Sequence, residues 1–329
     1  MTTLSRRAFL GTPLAAAVAA ACGREPAPYR SSDFARPDRS AVALLDAPSY
    51  DSDLADLIGR GLRELGVAVR DRRVLLKPNL VEYEPGEAIN THPRVIAGAI
   101  VALRRAGARE VVVAEGPGHR RDVEYLLTAT GLADDLGDLD TTFVDLNHDD
   151  VREVPLRSWF TGLSSLALPV SVLAADLVVS MPKLKTHHWA GLTCSMKNLF
   201  GVVPGAVYGW PKNLLHFRGI PASILDLAGT VRPGLAIVDG IVGMEGDGPI
   251  MGRARPVGVI AMGTDPVAVD ATCARLMGLE PMRVPYLEAA ARYLGQVDAT
   301  RIDQRGERVD RYRTPFDLVE SMRFLRADD

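Results

Sequence analysis

The sequence predicts an α/β protein with a mostly parallel sheet covered by helices on both faces. Three observations carry this. Apolar runs of strand length recur at 42–45, 74–76, 111–113, 177–179, 235–238 and 257–262. Most of them precede a segment with helical apolar spacing. The runs are continuously apolar rather than alternating, as strands buried on both faces require.

After the first run, Leu54, Leu57, Ile58, Gly61, Leu62 and Leu65 form one apolar helical face. After the second, Pro93 suits a first helical turn. Val95, Ile96, Ala99, Ile100 and Leu103 then make a buried stripe that Gly107 closes. The third run precedes a helix over 121–130 ending at Gly131, and residues 140–160 supply one or two edge strands. The run at 257–262 leads to Asp265-Pro266, an N-cap followed by a first-turn proline. A helix with Val269, Cys273, Leu276 and Met277 inward follows, closed by Gly278. These elements place an α/β domain at 41–280 and a helical C-terminal extension at 281–329, with a helix over 315–327.

The chain has 329 residues and a formal charge of −3, enough for one large core. Balanced charge argues against a nucleic-acid partner. The cysteines Cys22, Cys194 and Cys273 are too few for a cysteine-ligated iron–sulfur cluster, so no intrinsic cluster is expected. Cys194 reads as a packed small residue or as a nucleophile activated by Lys197.

At the amino terminus, Ser5-Arg6-Arg7-Ala8-Phe9-Leu10 resembles the twin-arginine export motif. The apolar stretch after it is too short to span a bilayer and reads as a signal peptide over 1–21. Ala19-Ala20-Ala21-Cys22 looks like a lipobox, with Cys22 lipidated; ordinary cleavage after Ala21 is the alternative. Residues 22–40 read as a polar tether. The implied partners are the twin-arginine export machinery and a membrane, with the folded part periplasmic or at the cell surface.

Ligands of open parallel sheets bind beyond the carboxyl ends of the strands. The residues there are Lys77-Pro78-Asn79, Glu115-Gly116, Lys183 to His188, Asp239-Gly240 with the glycine-rich loop after it, and Asp265. Lysine sharpens the picture. Of 38 basic residues only Lys77, Lys183, Lys185, Lys197 and Lys212 are lysine. Lysine is a compact charge with a tunable pKa, so its retention among arginines suggests geometry or proton transfer. Lys183 and Lys185 share one face of an extended segment. His187 and His188 point to opposite sides, so one of them faces the crevice. Gly246 and Gly248 are either an anion cradle or a tight turn. Asp239, Glu245 and Asp265 are candidate divalent-metal ligands, Asp265 being equally an N-cap. Residues 201–213 are a lid or an ordinary loop.

Lys77-Pro78-Asn79, Lys183-Leu184-Lys185-Thr186-His187, Lys197-Asn198-Leu199-Phe200-Gly201, the Asp239–Pro249 glycine motif and Asp265-Pro266-Val267-Ala268-Val269-Asp270 resemble, in that order, the DUF362 family, a domain of unknown function. The resemblance covers about residues 40–280. Many relatives carry a cysteine-rich ferredoxin-like segment that this chain lacks. The expected function is therefore an exported, membrane-tethered enzyme for a small anionic substrate, a carboxylate or phosphate. His187, Lys185 and Lys77 would act catalytically, and Asn79, Lys183, Thr186, Lys197, Asn198, Gly246 and Gly248 would bind. Lys77, Lys185, His187 and Asp239 should converge on one crevice. The alternatives are a non-catalytic binding lipoprotein and a redox accessory protein using an external iron–sulfur partner.

Overall fold

A computed structural model describes residues 27–118, 122–210 and 212–328. The expected signal peptide, Cys22 and the start of the expected tether lie outside these residues.

β1 (Ser40–Asp46) leads to α1 (Leu54–Glu64), β2 (Arg73–Pro78) to α2 (Pro93–Arg105), and β3 (Glu110–Glu115) to α3 (Val123–Ala129) and α4 (Leu132–Asp138). β4 (Phe143–Asp145), β5 (Val151–Pro155), β6 (Ser165–Pro169) and α5 (Val170–Leu173) precede β7 (Leu177–Met181), β8 (Lys183–His187) and β9 (Gly191–Thr193). Four helices follow: α6 (Ser195–Asn198), α7 (Gly205–Tyr208), α8 (Asn213–Phe217) and α9 (Ile220–Val231). The chain ends with β10 (Leu235–Glu245), β11 (Arg253–Gly263), α10 (Pro266–Leu276), α11 (Pro285–Ala290), β12 (Ile302–Gly306) and α12 (Val309–Tyr312).

The main sheet runs β12-β1-β11-β10-β7-β2-β3-β4. Strands β10, β7, β2, β3 and β4 are mutually parallel. β8 joins the outer half of β10 in parallel, and β9 folds back on β8. Strand period two sorts side chains between two cores. Val74 and Leu76 pack with Ile58 of α1 and Ile96 of α2. Leu75 packs in the opposite core with Ile224 of α9 and Val269 of α10. Helices thus cover both faces, as the continuous apolar runs require.

Local chemistry starts the helices where expected. Asp53 accepts the Asp56 N–H at the start of α1, and Asp265 accepts Val267 and Ala268 N–H at 2.9 and 3.2 Å.

Several expectations are corrected. β11 is antiparallel to both neighbours, with Ala236 of β10 paired to Gly263. Its carboxyl end, and Asp265 after it, therefore lie at the edge opposite to the ends of β2, β3 and β7. The strand expected to stop at Val238 continues to Glu245, so Asp239 sits within a strand rather than beyond it. Residues 315–327 form only a 3₁₀ turn at Glu320–Leu325. Their backbone groups pair with the body instead, for example Gly246 N–H to Asp317 O and Glu280 N–H to Leu325 O. β12 pairs in parallel with β1, so the C-terminal segment completes the sheet. Residues from Pro28 onward dock on the body. Tyr29 stacks on Tyr293 at 4.1 Å, Phe34 is buried, and Arg36 Nε donates to Gly295 O at 3.1 Å.

Candidate active site

The ends of β2, β3 and β8 open into a cavity of about 530 Å³ that is also lined by α6. Lys77 stands at its base, 1% exposed. Its Nζ donates to Pro78 O (2.8 Å), Asn198 Oδ1 (3.1 Å) and the Glu115 carboxylate. Glu115 also accepts Leu80 N–H at 3.1 Å and Gly116 N–H at 2.9 Å. Asn198 completes the network by donating to Lys77 O and Ser180 Oγ. Burial lowers the Lys77 pKa while Glu115 raises it. All three ammonium protons are committed, so Lys77 is a fixed charge and not a mobile acid. A Cβ on Gly201 would fall 1.9 Å from Glu115 Oε1 and 2.4 Å from Lys77 Nζ. Glycine there lets the chain close over the pair.

Lys197 differs. It is half-buried on α6, with its Nζ 3.8 Å from the centre of the Phe200 ring. Among the described residues no hydrogen bond engages it. Burial, then the charges of Lys77 and Lys212, lower its amine to about 7. The aromatic face favours the ammonium, so both protonation states are within reach near neutrality.

Lys212 is 4% exposed and also lowered to about 7, chiefly by burial. Its Nζ donates to Gly116 O (2.9 Å), Asn147 Oδ1 (3.0 Å) and Val203 O. Deprotonation would orphan an acceptor, a penalty absent at Lys197. These bonds clamp the 201–213 segment onto the loop after β3.

Lys185 Nζ donates to Ile89 O at 2.7 Å and Pro249 O at 3.1 Å. Burial, then Lys183 and Lys197, push its pKa well down. His187 Nδ1 accepts Trp189 N–H (3.1 Å) and Ala190 N–H (3.2 Å), which fixes the proton of the neutral ring on Nε2. Burial and neighbouring Lys197 hold its pKa well below the usual value. In this tautomer His187 offers an N–H donor, so the base half of the acid–base role expected of it has no free ring lone pair. His188 meets Asp247 at 2.9 Å on the cavity rim.

Among the described residues, two buried polar atoms on the cavity wall have no partner: Asn79 Oδ1 and Thr193 Oγ1. Buried polar groups are nearly always hydrogen-bonded, so two orphans in one cavity mark a place for polar ligand atoms.

Asp270 orients α6 from behind. It accepts Ser195 N–H at 2.8 Å, Met196 N–H at 3.1 Å and the Ser195 hydroxyl. Burial raises its pKa to about 6, against the hydrogen bonds from Ser195 and Met196. Asp270→Asn keeps one acceptor oxygen and loses the charge. It is expected to cost about 1.5–3 kcal/mol, read as a lowered Tm, with Lys197 reactivity disturbed in parallel.

The remaining expected site residues lie elsewhere. Lys183 pairs with Asp239 at 2.7 Å beneath Tyr50, and Asp239 also accepts His92 N–H at 2.9 Å. Neither lines the cavity, so the expected convergence holds for Lys77, Lys185 and His187 but not Asp239. Extension of β10 is the cause. Glu245 is held by Arg253 Nε (2.9 Å) and Asp317 N–H (2.9 Å), and Asp265 caps α10 and accepts Ser40 Oγ at 2.6 Å. The three acids thus occupy separate networks. Among the described residues, no three His, Cys, Asp or Glu side chains group as metal ligands. Thr186 Oγ1 donates to Gly246 O at 2.9 Å. A Cβ on Gly248 would lie 2.1 Å from Thr186 O. Gly246 and Gly248 stitch this loop to β8, while Asp247 and Pro249 of the same loop line the cavity.

Sequence reasoning missed Asn147, Thr193 and Trp189, and it read Glu115 without its partner. The signal for Glu115 was available: an acid ending an apolar strand next to one ending in lysine.

Residues 74–275 match the family described as a domain of unknown function, DUF362. A thylakoid-associated protein of Synechocystis sp. is 31% identical over 264 residues, covering 77% of this chain and 79% of that protein. Among solved structures, the lactate racemase apoprotein from Thermoanaerobacterium thermosaccharolyticum is 14% identical, with a TM-score of 0.47, over 74% of this chain and 59% of that one. A protein from Thermotoga maritima is 13% identical, with a TM-score of 0.40, over 70% of this chain and 59% of that one. The chain thus spans less than two thirds of either solved chain.

Proposed function

The chain belongs to the DUF362 family, and from that premise we propose an enzyme acting on a small anionic substrate, a carboxylate or phosphate, with Lys197 as the group that exchanges a proton with it or attacks it. One observation carries this reading: Lys197 lines the cavity, among the described residues no hydrogen bond engages its amine, and that amine is lowered to about 7. An ordinary lysine is almost wholly protonated at neutral pH and is neither base nor nucleophile. Lys212 and Lys77 contribute positive charge to the wall, that of Lys77 partly offset by Glu115, while Lys185, the His187 Nε2–H and the Thr193 hydroxyl can donate hydrogen bonds that orient an anion. A reaction needing the neutral amine gains rate as pH rises through about 7.

The twin-arginine motif and the lipobox-like Cys22 support export by that route and a lipid anchor, periplasmic or at the cell surface. The thylakoid association of the Synechocystis relative supports a membrane-linked location.

Competitive acetylation with trace acetic anhydride, followed peptide by peptide, tests the site. Lys197 is expected to react first of the five lysines, with an inflection near pH 7, and to be protected by inorganic phosphate or propionate. Reactivity rising only toward the ordinary lysine range, indifferent to both anions, ends this reading. Protection without turnover of any co-purified ligand favours the binding lipoprotein.

A further inference from the structure

The aromatic residues of the cavity form a wall that leads from solvent to the Lys197 amine. Trp189 stands at the mouth, 63% exposed. Its ring meets His216 edge-on at 6.1 Å; His216 meets Phe200 at 5.6 Å; and Lys197 Nζ lies 3.8 Å from the Phe200 centre. Met251, which also lines the cavity, is 79% exposed. Large apolar side chains left open to water at the entrance of one cavity suggest something apolar covers them. The lysines, Asn79 Oδ1 and Thr193 Oγ1 line the same cavity, and the His188–Asp247 pair lies on its rim. The volume, about 530 Å³, suits a ligand much larger than a three-carbon acid.

We propose that the substrate is amphiphilic: an anionic head among Lys185, Lys197 and Thr193, and a flat apolar or aromatic body laid along Trp189, His216 and Phe200 toward Met251. This rests on the anionic-substrate reading above and adds its second half. The lysines set where the head goes. The wall sets which acids or phosphates are accepted, since a small anion leaves Trp189 and Met251 wet. Aromatic bodies gain most, because offset or edge contacts with Trp189 add to plain burial.

Matched pairs of probes separate head from body. Propionate is compared with 3-phenylpropionate, and inorganic phosphate with phenyl phosphate, by the concentration that half-protects Lys197 from acetylation in the folded protein. The phenyl member of at least one pair is expected to protect at a tenfold lower concentration or better. Trp189→Ala is expected to bring that ratio down to threefold or less. Trp189 is largely exposed, so the variant should keep the parent Tm, which is measured alongside. A phenyl advantage below twofold in both pairs overturns the amphiphilic substrate, as does one that Trp189→Ala leaves unchanged. If neither propionate nor phosphate protects Lys197, nor their phenyl counterparts, the anionic-site reading itself fails. The two failures are thus distinct.

Discussion

Replacing Lys197 by methionine is expected to lower kcat/KM about 10²- to 10⁴-fold, the range for losing a positioned proton-transfer group. Methionine keeps the length and the contact with Phe200 but removes the amine. The assay substrate is the ligand identified by mass spectrometry of protein purified in its native state. The parent should show a limb rising through about pH 7, and the variant should lose that limb along with its rate. Lys197→Arg retains a positive charge that does not titrate in this range, so it should bind the anion yet remain slow. Lys77→Arg makes a poor substitute control, because Lys77 is already committed to three acceptors. If Lys197→Met keeps more than a tenth of parental turnover, Lys197 contributes charge to the wall and no chemistry.

The largest effect on stability is expected from Glu115→Ala. Lys77 is 1% exposed, and Glu115 is its ion-pair partner. Removing one member of a buried pair strands the other and costs about 3–5 kcal/mol. Thermal melting should report a fall in Tm of roughly 4–8 °C, at about 1.5 °C per kcal/mol for a chain of this size. The pH dependence has a definite sign. Burial already lowers the Lys77 pKa below its ordinary 10.5, and losing Glu115 lowers it further. Between the lowered value and 10.5 the unfolded chain holds more protons than the folded one, so the variant regains stability as pH rises across that window. Adding Lys77→Met should restore much of the loss at pH 7, since a neutral side chain of similar length leaves no charge to strand. A double variant as unstable as the single one would place the cost in backbone packing around Gly201 instead.

The parallel core of the sheet was legible because buried strands and amphipathic helices write their periods directly into the chain. Lysine scarcity was legible too. Lys77, Lys185, Lys197 and Lys212 all line the cavity, and Lys183 alone of the five does not. What escaped was direction and pairing. Nothing in the apolar run of β11 states that it is antiparallel, yet this alone carries Asp265 to the far edge. Where β10 ends is equally silent, and that decides whether Asp239 faces a ligand or Lys183. The His187 tautomer depends on two backbone donors brought round by the turn at Trp189 and Ala190. The orphaned Asn79 and Thr193 atoms are properties of what surrounds them, which no local pattern encodes.

With Cys22 lipidated as proposed, the docking of Tyr29, Phe34 and Arg36 would shorten the leash between lipid and body. A free segment from Cys22 to Ser40 could reach about 60 Å when extended, whereas from Cys22 to Pro28 the limit is about 20 Å. A lipid at Cys22 would then hold the body close against the bilayer and limit its tumbling. It would always present the side that carries Tyr29 and Tyr293. Encounter with substrate would become a matter of standoff distance and orientation, set by three side chains that do not line the cavity.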